Sequence, residues 1–268
     1  MANFSLQNKL ILITGASSGI GKASAIEFAK HNMKLALVAR SSQKLKNLKR
    51  IIKSKNNIIE IFSFDLNHKE KISYLIKKIE KRFSQSVDIL LNCAGSAVLG
   101  NIENVPFKAY QRNMDLNFIA PLILSQNILP NMKKKKSGQL IFLFSGVGKR
   151  GLPGVSSYCA SKFALNAFTE SLRVEVMQYN IDVILISPGL VKTEFKKRTK
   201  IYGKLNETFS SGKEKDASFV AKQIVQSSLK RKRKVTLSLK TFFGIYINIF
   251  FPRLLDKLLS NKISNARN

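Results

Sequence analysis

The chain is predicted to fold as one α/β domain, a doubly wound parallel sheet covered by helices on both faces. Three observations predict it. Short apolar runs alternate with helix-length segments through most of the 268 residues, and parallel strands are the ones that need crossover connections of that length. No internal linker is long enough to divide the alternation. A glycine-rich turn, GASSGIG, follows the first apolar run and opens a helix, which is the entry expected of a phosphate-binding βα unit. An apolar share of 44% supplies a core of the size such a domain needs.

Taken in order, Lys9 to Thr14 (KLILIT) reads as a buried strand, because the run is continuously apolar and leads straight into the glycine turn. The helix GIGKASAIEFAKH follows, then the strand KLALVA, a helix around Ser41–Ser54 and the strand NIIEIFSFD. A helix around His68–Arg82 precedes the strand VDILLN. The second half repeats the pattern: a long helical region from Pro106 to Met132, the strand QLIFLF, a helix from Tyr158 to about Tyr179, and the strand IDVILIS. Val191 to Gly212 has little periodicity and several polar and Gly positions, so it is expected to form a lid near a site. A helix around Asp216–Lys230 and a short strand, VTLSL, complete the domain at about residue 240.

Residues 241–268 differ in character. TFFGIYINIFFPRLLDKLL is apolar, with Lys240 before it and Arg253 and Lys257 within its basic end. Its uninterrupted apolar core is about half the ~20 residues that span a bilayer as a helix. Phe242, Phe243, Ile245, Tyr246, Ile249 and Phe250 make a wide helical stripe, expected to pack on the domain or a partner, with a membrane surface as the alternative.

The 46 Lys and Arg against 16 Asp and Glu give a formal charge of +30, which attracts anionic surfaces, phosphates or acidic proteins. The lysines are spread along the chain, and only Lys133–Lys136 and Lys230–Lys234 are dense runs. No zinc-finger spacing or aromatic RNA-binding strand accompanies them, so nucleic acid is not the expected partner. Cys93 and Cys159 are too few for a disulfide framework, which points to a reducing, cytoplasmic setting, with peripheral membrane contact the variant. The first apolar run is too short for a secretory signal. His31 and His68 lie at helix ends without a role, and no cluster supports a metal.

The chemistry is expected between Ser145 and Lys162, SGVGKRGLPGVSSYCASK. Ser145 stands at the end of a buried strand, and Tyr158 and Lys162 lie four positions apart at the start of a helix. One helical turn separates them, so phenol and ammonium project from one face and can act on one atom.

TGASSGIG, from Thr14 to Gly21, resembles the TGxxxGxG motif of the short-chain dehydrogenase/reductase family. Further family marks follow in order: Asn92-Cys93-Ala94-Gly95, with Cys in place of the second Asn of NNAG; Asn117; Ser145; Tyr158 and Lys162 as YxxxK; and Pro188-Gly189 with Thr193. The resemblance implies a Rossmann-like fold and hydride transfer between a nicotinamide cofactor and a carbonyl/alcohol pair. It makes Tyr158 the general acid or base, with Lys162 lowering its pKa and holding the nicotinamide ribose. Ser145 polarises the substrate oxygen, so Ser145 and Tyr158 also bind substrate, and Asn117 holds a relay water.

The implied cofactor contacts are Thr14, Gly15, Ser17, Ser18, Gly19, Ile20 and Gly21 in the turn, then Arg40 and Asp65. Asn92, Ala94, Gly95, Tyr158, Lys162, Pro188, Gly189 and Thr193 complete the set. Ala39 and Arg40 close the second strand where NAD-preferring members often carry Asp, so NADP(H) is expected and NAD(H) is the alternative. Ser41 and Lys44 are placed to help with a 2′-phosphate.

A hydrophobic, lipid-like ketone is the expected substrate, and a 3-oxoacyl-carrier protein the alternative. A homo-oligomer, dimer or tetramer, is expected. The rival from another class is an idle nucleotide-binding protein with a basic surface, which would have no need of the four residues Asn117, Ser145, Tyr158 and Lys162 together.

Overall fold

A computed structural model describes residues 3–52, 57–203, 213–238 and 250–264. Seven strands form one sheet: β1 (Leu10–Thr14), β2 (Lys34–Ala39), β3 (Ile58–Ser63), β4 (Ile89–Asn92), β5 (Gly138–Leu143), β6 (Ile181–Ser187) and β7 (Lys234–Thr236). Their spatial order is 7-6-5-4-1-2-3, and every pairing is parallel. The order reverses direction at β1, between β4 and β2. In a doubly wound sheet the crevice outside the carboxyl ends of the strands at such a reversal is where a ligand binds.

Side chains alternate between the two faces of each strand, and the sheet therefore divides the core in two. Leu10, Leu12, Val38, Leu90, Leu140, Phe142 and Leu185 face α3 (Ile72–Phe83), α5 (Ala120–Lys135) and α6 (Ser156–Val176). Ile11, Ile13, Leu35, Leu37, Leu91, Ile141 and Ile186 face α1 (Gly19–Phe28), α2 (Ser42–Ile51) and α8 (Ala217–Leu229). The central strands read as continuous apolar runs because both of their faces are covered.

Three expectations are revised. The helical region from Pro106 to Met132 is not one continuous helix: α4 (Phe107–Met114) passes into a π-turn over Asp115–Ile119 before α5, which extends to Lys135. The aperiodic segment after Gly189 is structured where it is described. Val191–Lys192 pairs with Lys215–Asp216, Lys200–Ile201 pairs with Val98–Leu99, and the short helix α7 (Phe195–Arg198) lies between. The last strand is Lys234–Thr236 rather than VTLSL.

The helix α9 (Pro252–Ser264) carries the C-terminal basic end. Phe242, Phe243, Ile245, Tyr246 and Ile249 lie outside the described residues, so their stripe has no structural account, whereas Phe250 is exposed beside Phe251, Leu254 and Leu258. No described helix is long and apolar enough to cross a membrane.

Candidate active site

The glycine turn is shaped by close backbone approach. A Cβ at Gly21 would sit 2.4 Å from the Gly15 carbonyl oxygen, and one at Gly15, whose φ is +65°, would sit 2.8 Å from the Ala94 nitrogen. A side chain at Gly15 would push the turn off the segment after β4 and one at Gly21 would open the turn itself, so glycine is required by contact and not by flexibility alone. Thr14 ties the turn down: its hydroxyl oxygen accepts from the Cys93 and Ala94 N–H groups at 3.1 and 3.2 Å. Gly19 lies against the methyl group of Thr193, Ile20 packs on the core, and Ser17 and Ser18 stay partly accessible.

This cradle fits a dinucleotide. Asn92, at the end of β4, is buried with neither amide atom hydrogen-bonded, an arrangement that leaves polar capacity in the crevice. Free N–H groups at the start of α1 supply the positive end suited to a pyrophosphate.

At the far side of the crevice, α6 brings Tyr158 and Lys162 beneath Ser145. The Ser145 side chain hydrogen-bonds the phenol of Tyr158. Lys162 is buried, its Nζ lying 5.6 Å from the Tyr158 ring centre and donating to the Leu143 carbonyl at 3.0 Å. Burial pushes the Tyr158 phenol up to about 12, against the hydrogen bond from Ser145. Burial likewise lowers Lys162 to about 8, with Cys93 the opposing neighbour. Desolvation disfavours the charged form in both cases, which is why an acid rises and a base falls. Ser145 acts to lower the Tyr158 pKa against that burial, and Lys162 stands beside the ring.

Asn117 sits in the π-turn and is fully buried. Its Oδ1 accepts from the Ser96 N–H at 3.0 Å, and its Nδ2 lies 2.9 Å from the Ser96 carbonyl, 3.1 Å from Asn113 Oδ1 and 3.0 Å from Ser161 Oγ. Ser161 in turn donates to the Tyr158 carbonyl at 2.8 Å. The side chain thus ties the loop after Gly95 to the helix that carries Tyr158 and Lys162. Ser96, Asn113 and Ser161 were not singled out from sequence, although Asn113 and Asn117 at i,i+4 and a Ser beside Lys162 were the available signal. Asn117→Ala strands several buried partners at once and is expected to cost about 2–4 kcal/mol, read as a fall in thermal midpoint. Retention of the parental midpoint would rule out the tie.

The remaining residues line the adenosine side and the rim. Arg40 is exposed at the end of β2, close enough to Asp65 for its charge to be felt. Burial opposes the Asp65 charge, but hydrogen bonds from Asn67 and the charges of Arg40 and His68 outweigh it and hold the carboxyl below its ordinary range. Ser41 caps α2, its hydroxyl accepting from the Lys44 N–H at 3.3 Å. Pro188 and Gly189 follow β6, and a Cβ at Gly189 would meet Ser238. The Thr193 hydroxyl accepts from the Phe195 N–H, and the Phe195 ring lies 6.1 Å from that of Tyr158. A cavity of about 640 Å³ lies between Leu152, Pro153, Cys159 and Phe163 and the α9 residue Leu259, beside the Arg150–Asp256 ion pair. Neither Ser145, Tyr158 nor Lys162 lines it, so it is separate from the reacting groups.

A glycine cradle at the reversal of a parallel sheet, facing a Ser–Tyr–Lys set, is the build of a dinucleotide-dependent oxidoreductase. The short chain dehydrogenase family model matches residues 9–201. The dehydrogenase/reductase SDR family member 7B of Danio rerio is 31% identical, covering 96% of this chain and 86% of its own. The 3-ketodihydrosphingosine reductase of Bos taurus is 32% identical over 82% of this chain and 68% of its own. Among solved structures, a short-chain dehydrogenase from Streptomyces avermitilis superposes with a TM-score of 0.81 at 24% identity, covering 99% of this chain and all of its own. A metagenomic short-chain oxidoreductase in complex with NADP gives 0.74 at 24% identity, covering 87% of this chain and 98% of its own. The chain belongs to the short-chain dehydrogenase/reductase family and is an oxidoreductase acting on CH–OH groups.

Proposed function

We propose that the chain reduces a ketone on a hydrophobic, lipid-like molecule to a secondary alcohol with NADPH, and runs the reverse reaction with NADP. The observation that carries the reading is the convergence of three side chains: Lys162 Nζ lies 5.6 Å from the Tyr158 ring centre and is held by the Leu143 carbonyl, and Ser145 acts on the Tyr158 phenol. The bound cofactor supplies the hydride. Tyr158 gives its proton to the carbonyl oxygen, and a phenol pushed up to about 12 is fully protonated for that role at neutral pH. Ser145 donates a hydrogen bond to the same oxygen and stabilises the charge that develops there. Lys162 holds the nicotinamide ribose and favours the phenolate once the proton has left. The side-chain amide of Asn117 is engaged with Ser96, Asn113 and Ser161, so its role in the reaction is to hold the helix that carries Tyr158 and Lys162 in place.

Two features support a hydrophobic substrate: the exposed Phe250, Phe251, Leu254 and Leu258 around α9, and the bovine 3-ketodihydrosphingosine reductase among the relatives. Arg253 and Lys257 on the same helix suit peripheral contact with an anionic lipid surface. A dimer or tetramer is proposed on the exposed Phe163, Val174 and Met177 along α6 and its end.

NADPH oxidation is to be followed with long-chain 3-ketones in anionic vesicles, with 3-oxoacyl thioesters on an acyl carrier, and with short ketones. Turnover confined to the carrier-bound thioester would replace the lipid assignment; turnover with none would remove the activity. The NADP(H) preference rests on Arg40 facing Asp65 without a competing carboxylate at position 39. Arg40→Asp is expected to shift the NADPH/NADH ratio of kcat/KM toward NADH by about tenfold, the scale of one charge-assisted contact. An unchanged ratio removes Arg40 from the preference.

A further inference from the structure

Three elements converge at the open side of the crevice on a single carboxylate. Glu194, the residue that caps α7, accepts from Lys44 Nζ at 3.2 Å through Oε2, and the same oxygen accepts from Arg198 Nη2. The other guanidinium nitrogen, Nη1, donates to the Ser18 hydroxyl at 3.1 Å. Lys44 belongs to the first turn of α2 and Ser18 to the glycine turn. Ser18 stands at the N-cap of α1 yet makes no side-chain cap, its hydroxyl being engaged by Arg198 instead. The segment starts close to the glycine turn, where a Cβ at Gly19 would meet the Thr193 methyl group at 3.1 Å.

Two cations around one anion, one of them steadied by a hydroxyl of the glycine turn, are a donor set that also suits a phosphate. The anion here is the protein's own. Hydrogen bonding from Lys44, with the charge of Arg198, holds the Glu194 carboxyl below its usual range. All three charged side chains are about half exposed, which leaves them free to exchange partners. Counted together they retain one positive charge, directly at the mouth of the turn whose free N–H groups suit a pyrophosphate.

We propose that Lys44 and Arg198 form an anion clamp over the cofactor crevice, that Glu194 fills the clamp in the cofactor-free chain, and that the two cations exchange Glu194 for a phosphate of the dinucleotide. Glu194 is then a competitor that weakens cofactor binding, and Arg198 is a cofactor-binding residue contributed by the segment after Gly189. The proposal rests on the reading of Gly15–Gly21 as a dinucleotide site. The phosphate concerned is either the pyrophosphate or the 2′-phosphate, and the two nucleotides separate them.

Calorimetric titration of NADPH and NADH into the parent, Glu194→Gln, Arg198→Gln and the double variant, at fixed low ionic strength, tests this without turnover. Glu194→Gln is expected to tighten binding about two- to fivefold, the range of an exposed competing ion pair. Arg198→Gln is expected to weaken it about tenfold, with and without Glu194. Effects on NADPH alone assign the 2′-phosphate, and equal effects on both nucleotides assign the pyrophosphate. If the parent binds NADPH while Glu194→Gln leaves binding unchanged or weakens it, the clamp is overturned. If the parent binds neither nucleotide, the dinucleotide site itself falls.

Discussion

Tyr158→Phe is expected to lower kcat/KM for ketone reduction by about a thousandfold while leaving the dissociation constant for NADPH within about twofold. The first figure is the scale on which a positioned proton donor contributes to a rate. The second follows because the glycine turn, shaped by backbone contacts of its own, keeps its form when the phenol oxygen is lost. The substitution removes one oxygen from a half-buried ring whose packing partner is Phe195, so the fold stays intact. Ser145 then loses its hydrogen-bond partner but keeps its place at the end of the β5 region. A variant that retained more than a tenth of the parental rate would transfer the proton-donor role to another group, and Ser145 would be the next to test.

The division between what was legible in the sequence and what was not follows from physical range. Continuous apolar runs identified the central strands, because a strand covered on both faces must be apolar throughout, and β1, β2, β4, β5 and β6 lie where those runs lie. The glycine turn was legible because contact distance leaves no alternative residue at Gly15 or Gly21. The π-turn at Asn117 was hidden. One extra residue in a helical turn barely alters an apolar pattern, although it redirects every side chain beyond it. The engagement of Asn117 with Ser96 and Ser161 joins residues 21 and 44 positions apart, a distance that no local pattern records. Ser41 caps α2 with its hydroxyl oxygen, a local use that the helix start after Ser41 signals and that leaves its O–H proton free for a phosphate. Glu194 and Arg198 looked like ordinary charges in an aperiodic segment, and only the fold sets them against Lys44 and Ser18.

Lys162→Met is expected to produce a chain that is more stable and nearly inactive. At neutral pH the parent keeps an ammonium in a buried site, and its pKa falls from 10.5 to about 8 because of that burial. A group whose folded pKa is depressed in this way binds fewer protons folded than unfolded between the two values. Parental stability therefore rises as pH increases from about 8 to 10.5, and the full penalty is present below about 8. The shift corresponds to about 3 kcal/mol. Losing the hydrogen bond to the Leu143 carbonyl returns about 1 kcal/mol, which leaves a net gain of about 2 kcal/mol at pH 7. In a domain of this size that raises the thermal midpoint by about 4–8 °C. The gain should pass through zero at pH ~10 and become a small loss by pH ~10.5, because the parent then sheds its charge while the lost hydrogen bond remains, and differences between variant and parent cancel the titration of every other group. Activity moves the opposite way. On the proposed role of Lys162, removing the ammonium takes away the cation beside the Tyr158 ring and leaves only Ser145 to favour the phenolate, and kcat/KM should fall about a hundredfold or more. A variant less stable than the parent at pH 7, or a gain of equal size at pH 7 and 10.5, would mean that burial of Lys162 carries no electrostatic cost. Stability gained with activity lost would identify Lys162 as a charge kept in an unfavourable place for the sake of the reaction.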